Sequence, residues 1–414
     1  MSAANRFFWL PALLLALMPL LAPARTLVVG PTEAIRTVGR ALAGAKAGDT
    51  VRIRPGVYAH HNLLIDKPLT ILGENFPVLD AQFKGELFTV RSDDVTIRGL
   101  EMRNVGVTST IDWAAVKVLA SRRVRIVGNR LRRCYFGIYL SAAADCLVMG
   151  NDVAGTPTVE QNTGNGIHAW KCDRLRILNN HVRGQRDGIY FEFVTASVIR
   201  NNLSEENIRY GLHFMFSHEN GYFQNTFRHN GAGVAVMYTR RVTMQGNTFA
   251  HNWGGSAYGI LLKDITDSQI YRNTFIHNTV GIHMEGSSRI DVRQNQFREN
   301  GWGLRVQASC NDNEFMRNSF SGNTFDVATN GNTVLNTFRQ NYWDKYEGYD
   351  LDRNGRGDVP YHPVSLFSVI IERMPHAVVL LRSFMVTLLD RAEKVIPALT
   401  PSDLVDNEPL MKPV

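Results

Sequence analysis

Between residues 137 and 306 the chain repeats a short phrase: a glycine, an aliphatic residue, any residue, then usually an apolar one. The glycines are Gly137, Gly166, Gly188, Gly211, Gly233, Gly259, Gly281 and Gly303, at intervals of 29, 22, 23, 22, 26, 22 and 22 residues. A second phrase, asparagine–any–apolar, stands eight residues before most of these glycines, at Asn129, Asn180, Asn225, Asn273 and Asn295. Asn151, Asn201, Asn247 and Asn318 continue it, so that each glycine is followed by an asparagine after 13 to 15 residues. A repeat of this length marks a solenoid. It has room for two or three short strands, too little for helices with their connections. The apolar positions carry Val, Ile, Leu, Phe and Thr, which suit strands. Asparagine tolerates left-handed backbone and bonds its own main chain, so asparagines stacked coil on coil suit the corners. The pattern predicts an all-β chain: a right-handed parallel β-helix over residues 25–346, its strands about 4.8 Å apart around a narrow apolar core. Leucine at fixed positions and a four-strand blade pattern are both missing, which sets aside leucine-rich and propeller repeats.

The flanking segments depart from the pattern. Arg6 is followed by an apolar run to Leu21 and by Ala22-Pro23-Ala24, the layout of an export signal over residues 1–24. Pro11 and Pro19 interrupt that run and argue against a retained membrane span. Residues 26–29 read as a first strand. Residues 32–45 have helical apolar spacing (Ile35, Val38, Ala41, Leu42, Ala45), with Thr32 as the expected N-cap, and form the expected cover of the solenoid's open end. Two coils are longer than the rest, at residues 154–164 and around Trp253-Gly254-Gly255, and both insertions fall between the asparagine and glycine phrases. They are expected at one corner, where loops on a rigid scaffold commonly bind. Residues 347–363 carry Asp350, Asp352, Asn354 and Asp358 around Gly355, the spacing of a calcium loop, but Tyr361 stands where the bidentate glutamate belongs. A weak calcium site and a tight Asx-turn linker both fit that stretch. Residues 364–414 form a tail, with helices expected at 364–373 and 376–396. The second is apolar on more than one stripe, through Val379, Leu381, Phe384, Met385 and Leu388, which suits docking on a partner or folding back as a cap.

Composition narrows the partners. Net charge is 45 − 38 = +7, with both signs interspersed and no basic run interleaved with aromatics, so nucleic acid is not an expected partner. The four cysteines (Cys134, Cys146, Cys172 and Cys310) form no CxxC pair and are too few for a disulfide framework, which leaves free thiols or one disulfide.

The candidate chemistry comes from strand alternation. The second and fourth residues of each glycine phrase face inward, and the third and fifth face outward. Read coil by coil, the outward pairs are Tyr139/Ser141, His168/Trp170, Tyr190/Glu192, His213/Met215, Ala235/Met237, Leu261/Lys263, His283/Glu285 and Arg305/Gln307. His213 and Met215 are neighbours on one strand, and Met237 is expected on the next coil, about 4.8 Å from Met215. Two thioethers and an imidazole favour Cu(I) over hard cations, and thioethers survive in an oxidising compartment. His168, Glu192 and His218 are further candidate ligands.

Three segments carry a family resemblance: Tyr210-Gly-Leu-His-Phe-Met-Phe-Ser-His218, Asn341-Tyr-Trp-Asp344 through Asp358-Val-Pro-Tyr361, and Pro363-Val-Ser-Leu-Phe-Ser-Val-Ile-Ile-Glu-Arg373. They resemble the NosD family of periplasmic maturation factors of nitrous oxide reductase, over essentially the whole mature chain. The resemblance implies a non-enzymatic role in the periplasm. It also implies an ABC transporter of a membrane subunit with its ATPase, a copper-delivering lipoprotein, and the reductase itself as partners. The tail would then hold the protein at the membrane through the transporter. No ligand set transfers by motif, so the His213, Met215 and Met237 site rests on spacing alone. The competing expectation is an exported polysaccharide lyase, epimerase or glycosidase on the same scaffold. Against it, the outward set offers only Glu192 and Glu285, four coils apart, where glycoside hydrolysis needs two facing carboxylates. The Asp-Pro-His-Asp signature of alginate epimerases is also absent.

Overall fold

A computed structural model describes residues 24–108, 110–157, 159–255, 257–331, 335–381, 383–396 and 404–414. The expected export signal lies outside the described residues. The rest is a parallel β-solenoid. Each coil contributes one strand to each of three sheets, of 14, 13 and 12 strands in the order in which a coil meets them. All the ladders are parallel, and coil-to-coil register carries aliphatic onto aliphatic, as in Ile189↔Leu212↔Val234↔Ile260↔Ile282↔Leu304. Inward side chains of the second sheet form a continuous aromatic stack, Phe227, Phe249, Phe275, Phe297, Phe320 and Trp343, with centroids 4.3–5.6 Å apart.

The asparagine phrase is a buried ladder between the first and second sheets. Asn129, Asn151, Asn180, Asn202, Asn225, Asn247, Asn273, Asn295, Asn318 and Asn341 are each at most 2 % exposed. From Asn151 on, each side-chain oxygen accepts the amide N–H of the asparagine one coil earlier, as in Asn225 N–H to Asn247 Oδ1 at 2.9 Å, while Asn129 Oδ1 accepts Leu100 N–H at 3.1 Å. The ladder member in its coil is Asn202, and Asn201 is instead an exposed corner residue with φ of 55°. A second asparagine ladder separates the second and third sheets: Asn207, Asn230, Asn252, Asn278, Asn300 and Asn323.

The glycine phrase opens eight strands of the third sheet, from Phe136–Ser141 to Trp302–Val306, and glycine is needed there for close approach. The register skips the glycine: Asp187 pairs with Tyr210 and Ile189 with Leu212. Alternation breaks at that point, so the residue before the glycine faces outward, while a Cβ on the glycine would point into the core. On Gly211 it would sit 2.7 Å from the Gly233 carbonyl oxygen and 2.9 Å from Phe227 Cδ1.

The ends differ from expectation in detail. Helix α1 spans Val38–Gly44, with Thr37 rather than Thr32 as N-cap; its hydroxyl accepts from Arg40 N–H. Residues 30–35 are held first in a turn, closed by Gly30 N–H on the Ile35 carbonyl at 3.0 Å, so no helix begins at Thr32. In the tail, α2 spans Leu366–Arg373, Pro375–Leu380 is a tighter 3-10 turn, and α3 spans Phe384–Val395. The single helix expected over 376–396 is thus broken. Val364 and Leu404 join the main core, and Phe367, Ile371 and Val386 pack on Phe325 and Trp302 of the last coils. All four cysteines are buried free thiols, with no disulfide. Burial pushes Cys134 and Cys172 up to about 12 and Cys146 to about 11.

Candidate functional site

The site is built on the outward face of the third sheet. Its strands at Asp187–Glu192, Tyr210–Met215 and Ala232–Met237 lie side by side. Three residues of each strand point outward: the one before the glycine, then the third and fifth of the phrase. Register stacks Asp187↔Tyr210↔Ala232, Tyr190↔His213↔Ala235 and Glu192↔Met215↔Met237. The two methionines are therefore adjacent on neighbouring coils, and His213 shares a strand and a face with Met215.

The third-place row faces outward but is not open to solvent. His213 is 4 % exposed and Tyr190 9 %. The cover comes from Tyr190, which alternation marks as outward, and from residues that it does not mark. Tyr210 and Tyr190 stand over the imidazole, with ring centroids 4.8 and 5.0 Å away. Arg209 Nη2 is 3.3 Å from His213 Nδ1 and 3.0 Å from Asp187 Oδ2, and Asp187 Oδ2 is itself 3.5 Å from Nδ1. The first insertion reaches in as well, through Glu160, which pairs with Arg209 at 3.3 Å. Burial of Asp187 raises its pKa, but His213 and Arg209 outweigh that and hold it below the ordinary carboxylate range. One nitrogen of the His213 ring is thus engaged, while Nε2 is buried without a hydrogen-bond partner. An imidazole with a carboxylate at one nitrogen and the other unclaimed has the layout found behind metal-ligating histidines.

Met215 and Met237 are half-buried rather than fully exposed. The Tyr190 hydroxyl donates to Met215 Sδ at 3.6 Å and lies 3.3 Å from Glu192 Oε2, which draws Glu192, Tyr190 and Met215 together. Directly after the fifth place, at the strand's corner, Phe193, Phe216 and Tyr238 stack with centroids 5.2 and 5.0 Å apart. They are 43, 38 and 38 % exposed. Their φ values are 54°, 48° and 54°, a left-handed conformation that disfavours bulky side chains. The sequence signal was available: an aromatic one place after the fifth position in three successive coils, and Asp and Tyr immediately before two glycines.

The remaining candidates do not join His213. His168 is on the same row, but Tyr190 lies between them in register. It stacks between Tyr139 and Tyr190, both at 4.7 Å, accepts from Asn165 Nδ2 at 3.0 Å through Nδ1, and is pushed down to about 3, chiefly by burial. His218 follows the strand's corner, outside the outward rows, and burial with Arg240 and Arg241 nearby lowers its pKa. In the Asp350 loop the carboxylates are taken by the loop's own N–H groups. Asp350 accepts from Asn354 and Gly355 at 3.0 and 2.8 Å, Asp352 from Asn354 at 3.1 Å, and Asp358 from Leu351 at 2.7 Å. Among the described residues no three His, Cys, Asp or Glu side chains stand where they could hold a metal ion; thioethers fall outside that grouping.

The tail helices lie at the C-terminal end of the same outward face, where Arg305 Nη2 pairs with Glu372 of α2 at 2.8 Å. Of the five expected docking residues, Leu381 packs against Phe325 and Phe367 instead. Val379, Phe384, Met385 and Leu388 are exposed, Val379 by 85 % and Phe384 by 80 %. No described helix is long and apolar enough to cross a membrane.

Comparison with known proteins gives a consistent result. A family profile described as periplasmic copper-binding protein (NosD) matches residues 151–348. A probable ABC transporter binding protein NosD of Stutzerimonas stutzeri is 30 % identical over 368 residues, 84 % of this chain and 84 % of that one. A protein of the same name from Pseudomonas aeruginosa is 31 % identical over 412 residues, 92 % of this chain and 95 % of that one. Among solved structures, the catalytic domain of a GH87 α-1,3-glucanase in complex with nigerose superimposes with a TM-score of 0.65 at 12 % identity, covering 78 % of this chain and 69 % of that one. A family 28 exopolygalacturonase of Yersinia enterocolitica gives 0.52 at 11 % identity, covering 73 and 74 %. At such identities the likeness shows the fold alone.

Proposed function

The chain belongs to the NosD family, and from that premise we propose that it is a non-enzymatic periplasmic acceptor of Cu(I), which it passes toward nitrous oxide reductase. The observation that carries the reading is the buried, unpartnered Nε2 of His213 beside two registered thioethers. Copper(I) takes soft thioether and imidazole donors. The hydroxyl contact on Met215 is a weak one that an incoming ion displaces. Glu192 stands at the edge of this group as a further donor, while His168 is separated from His213 by Tyr190 and His218 lies past the strand's corner. Calcium has no part in the proposal: Tyr361 stands where the bidentate glutamate belongs, and the Asp350 loop's carboxylates hold its own turn. The relatives are named as binding proteins. The outward carboxylates support the same choice: Glu192 and Glu285 are four coils apart in register, roughly 20 Å, Glu285 is paired with Lys263 at 3.3 Å, and Asp187 is fully buried and held by Arg209.

Anaerobic titration against a chromophoric Cu(I) chelator tests the reading. The protein without residues 1–24 is expected to take up a single equivalent, and His213→Ala with Met215→Ala and Met237→Ala together to abolish it. Unchanged uptake by the triple variant would overturn the site.

The proposal places the protein beside an ABC transporter. Exposed Phe384, Met385 and Leu388 on α3, with Val379 on the preceding turn, form the face that docks on the membrane subunit; a copper-delivering lipoprotein loads the His213 face. Phe384→Asp with Leu388→Asp is expected to abolish co-purification with that subunit while leaving the melting temperature and Cu(I) uptake unchanged, since both side chains are exposed. Retained co-purification would remove α3 from the interface.

A further inference from the structure

A second cluster of metal-ligating side chains lies away from the His213 face. It runs up the corner between the second and third sheets: Glu206, His229, His251, His277 and Glu299, one residue per coil over five successive coils. Each amide N–H bonds the carbonyl just before the next member, as in His229 to Ala250 at 3.2 Å, His251 to Ile276 at 3.1 Å and His277 to Arg298 at 3.2 Å. All five have φ between 52° and 55°. The imidazoles stack face to face, with centroids 5.0 Å apart at both steps and interplanar angles of 5° and 20°. His277 Nε2 also meets Glu299 Oε2 at 3.1 Å. His229 and His251 are exposed, and His277 is half-exposed.

The backbone beneath this column is rigid. The residue after each histidine is a member of the second asparagine ladder: Asn230, Asn252 and Asn278 are buried and bonded to one another coil by coil. Spacing between the histidine Cα positions is therefore fixed near 4.8 Å. Two imidazoles with that separation reach one ion at bonds of about 2.0–2.1 Å once the rings turn out of the stack. Solvent exposure leaves that rotation free. In the stacked arrangement no three donors converge, so the ion itself supplies the ordering.

We propose that the column His229, His251 and His277, closed at its ends by Glu206 and Glu299, is a surface binding site for a divalent d-block cation. Its donor set is imidazole and carboxylate, with no sulfur donor among the five. That chemistry suits Zn(II), Cu(II) or Ni(II), and it lacks the thioethers that favour Cu(I) on the His213 face. The central histidine has an imidazole on both sides and is a ligand in both pairings of neighbouring imidazoles.

The test is calorimetric titration of the whole chain lacking residues 1–24 with Zn(II) as the probe. Saturable uptake is expected. His251→Asn is expected to weaken it by at least about tenfold, and His229→Asn, His251→Asn and His277→Asn together to abolish it. Asparagine tolerates the left-handed corner, so the variants keep the fold, and an unchanged melting curve in the metal-free state checks this. The variant lacking His213, Met215 and Met237 is expected to bind Zn(II) normally, and the column variant to bind Cu(I) normally. The two proposals thus fail separately. Absence of saturable Zn(II) uptake by the unmodified chain, or equal uptake by the triple asparagine variant, would overturn the inference.

Discussion

Replacing Gly281 by alanine is expected to destabilise the solenoid by about 3 kcal/mol, although the change adds one methyl group. A Cβ at this position would lie 2.5 Å from the Gly303 carbonyl oxygen of the next coil and 2.9 Å from Phe297 Cδ1. Neither neighbour can give way. The carbonyl belongs to the parallel ladder that pairs Val280 with Trp302 and Ile282 with Leu304, and Phe297 is stacked between Phe275 and Phe320 at 4.8 and 4.7 Å. Shifting either one disturbs two coils at once. Gly255 is the control: it sits in the second insertion, and a Cβ there would meet nothing within 4 Å. Gly255→Ala is expected to change stability by less than about 0.5 kcal/mol. Urea unfolding of both variants measures the difference. Equal midpoints would mean that the glycine column marks the turn of the chain and not a packing requirement.

That column also shows what a one-dimensional reading can reach. The glycine and asparagine periods identify a parallel solenoid because each coil repeats one local problem, and stacking brings identical residues together. Register follows from the same repeat, which is why Met215 and Met237 were placed on adjacent coils from spacing alone. Strict alternation was less reliable. It assumed one outward residue in every two, but the glycine interrupts the pleat and turns Asp187 and Tyr210 outward as well. Those two side chains, with Arg209 and Tyr190, bury the imidazole of His213. Burial of an outward residue depends on what leans over it from other coils, and Glu160 arrives from an insertion outside the repeat. The same limit applies to the tail, where Leu381, just past the 3-10 turn at Pro375–Leu380, packs inward on the cluster of Phe325, Phe367, Ile371 and Val386.

The far end of the solenoid gives the second large expected effect, and it bears on how the tail is tested. Asn341 is the last asparagine of the buried ladder, and the place of its next neighbour is taken by Asp406, 65 residues later in sequence and fully buried. Oδ1 accepts the Gln340 and Glu408 N–H groups at 3.0 and 3.2 Å. Oδ2 accepts Asn341 N–H, Asn341 Nδ2 and Trp343 Nε1 at 2.9, 3.0 and 3.2 Å. An asparagine has one acceptor oxygen, and here donors approach both, which is why the ladder ends on a carboxylate. Asp406→Ala strands these donors at a buried end, at a cost of about 1–3 kcal/mol for each group that water cannot reach; a total loss of about 4 kcal/mol is expected. Asp406→Asn keeps one acceptor and is expected to lose about half of that. Removing all of residues 364–414 would therefore unseat the solenoid's end and a docking face together, and loss of a membrane partner after that deletion would not separate them. The point changes do separate them. Asp406→Ala is expected to lower the unfolding midpoint in urea, whereas Phe384→Asp with Leu388→Asp leaves it in place and affects only the partner. An unchanged midpoint for Asp406→Ala would show that Trp343, stacked on Phe320, closes the solenoid without residues 404–414.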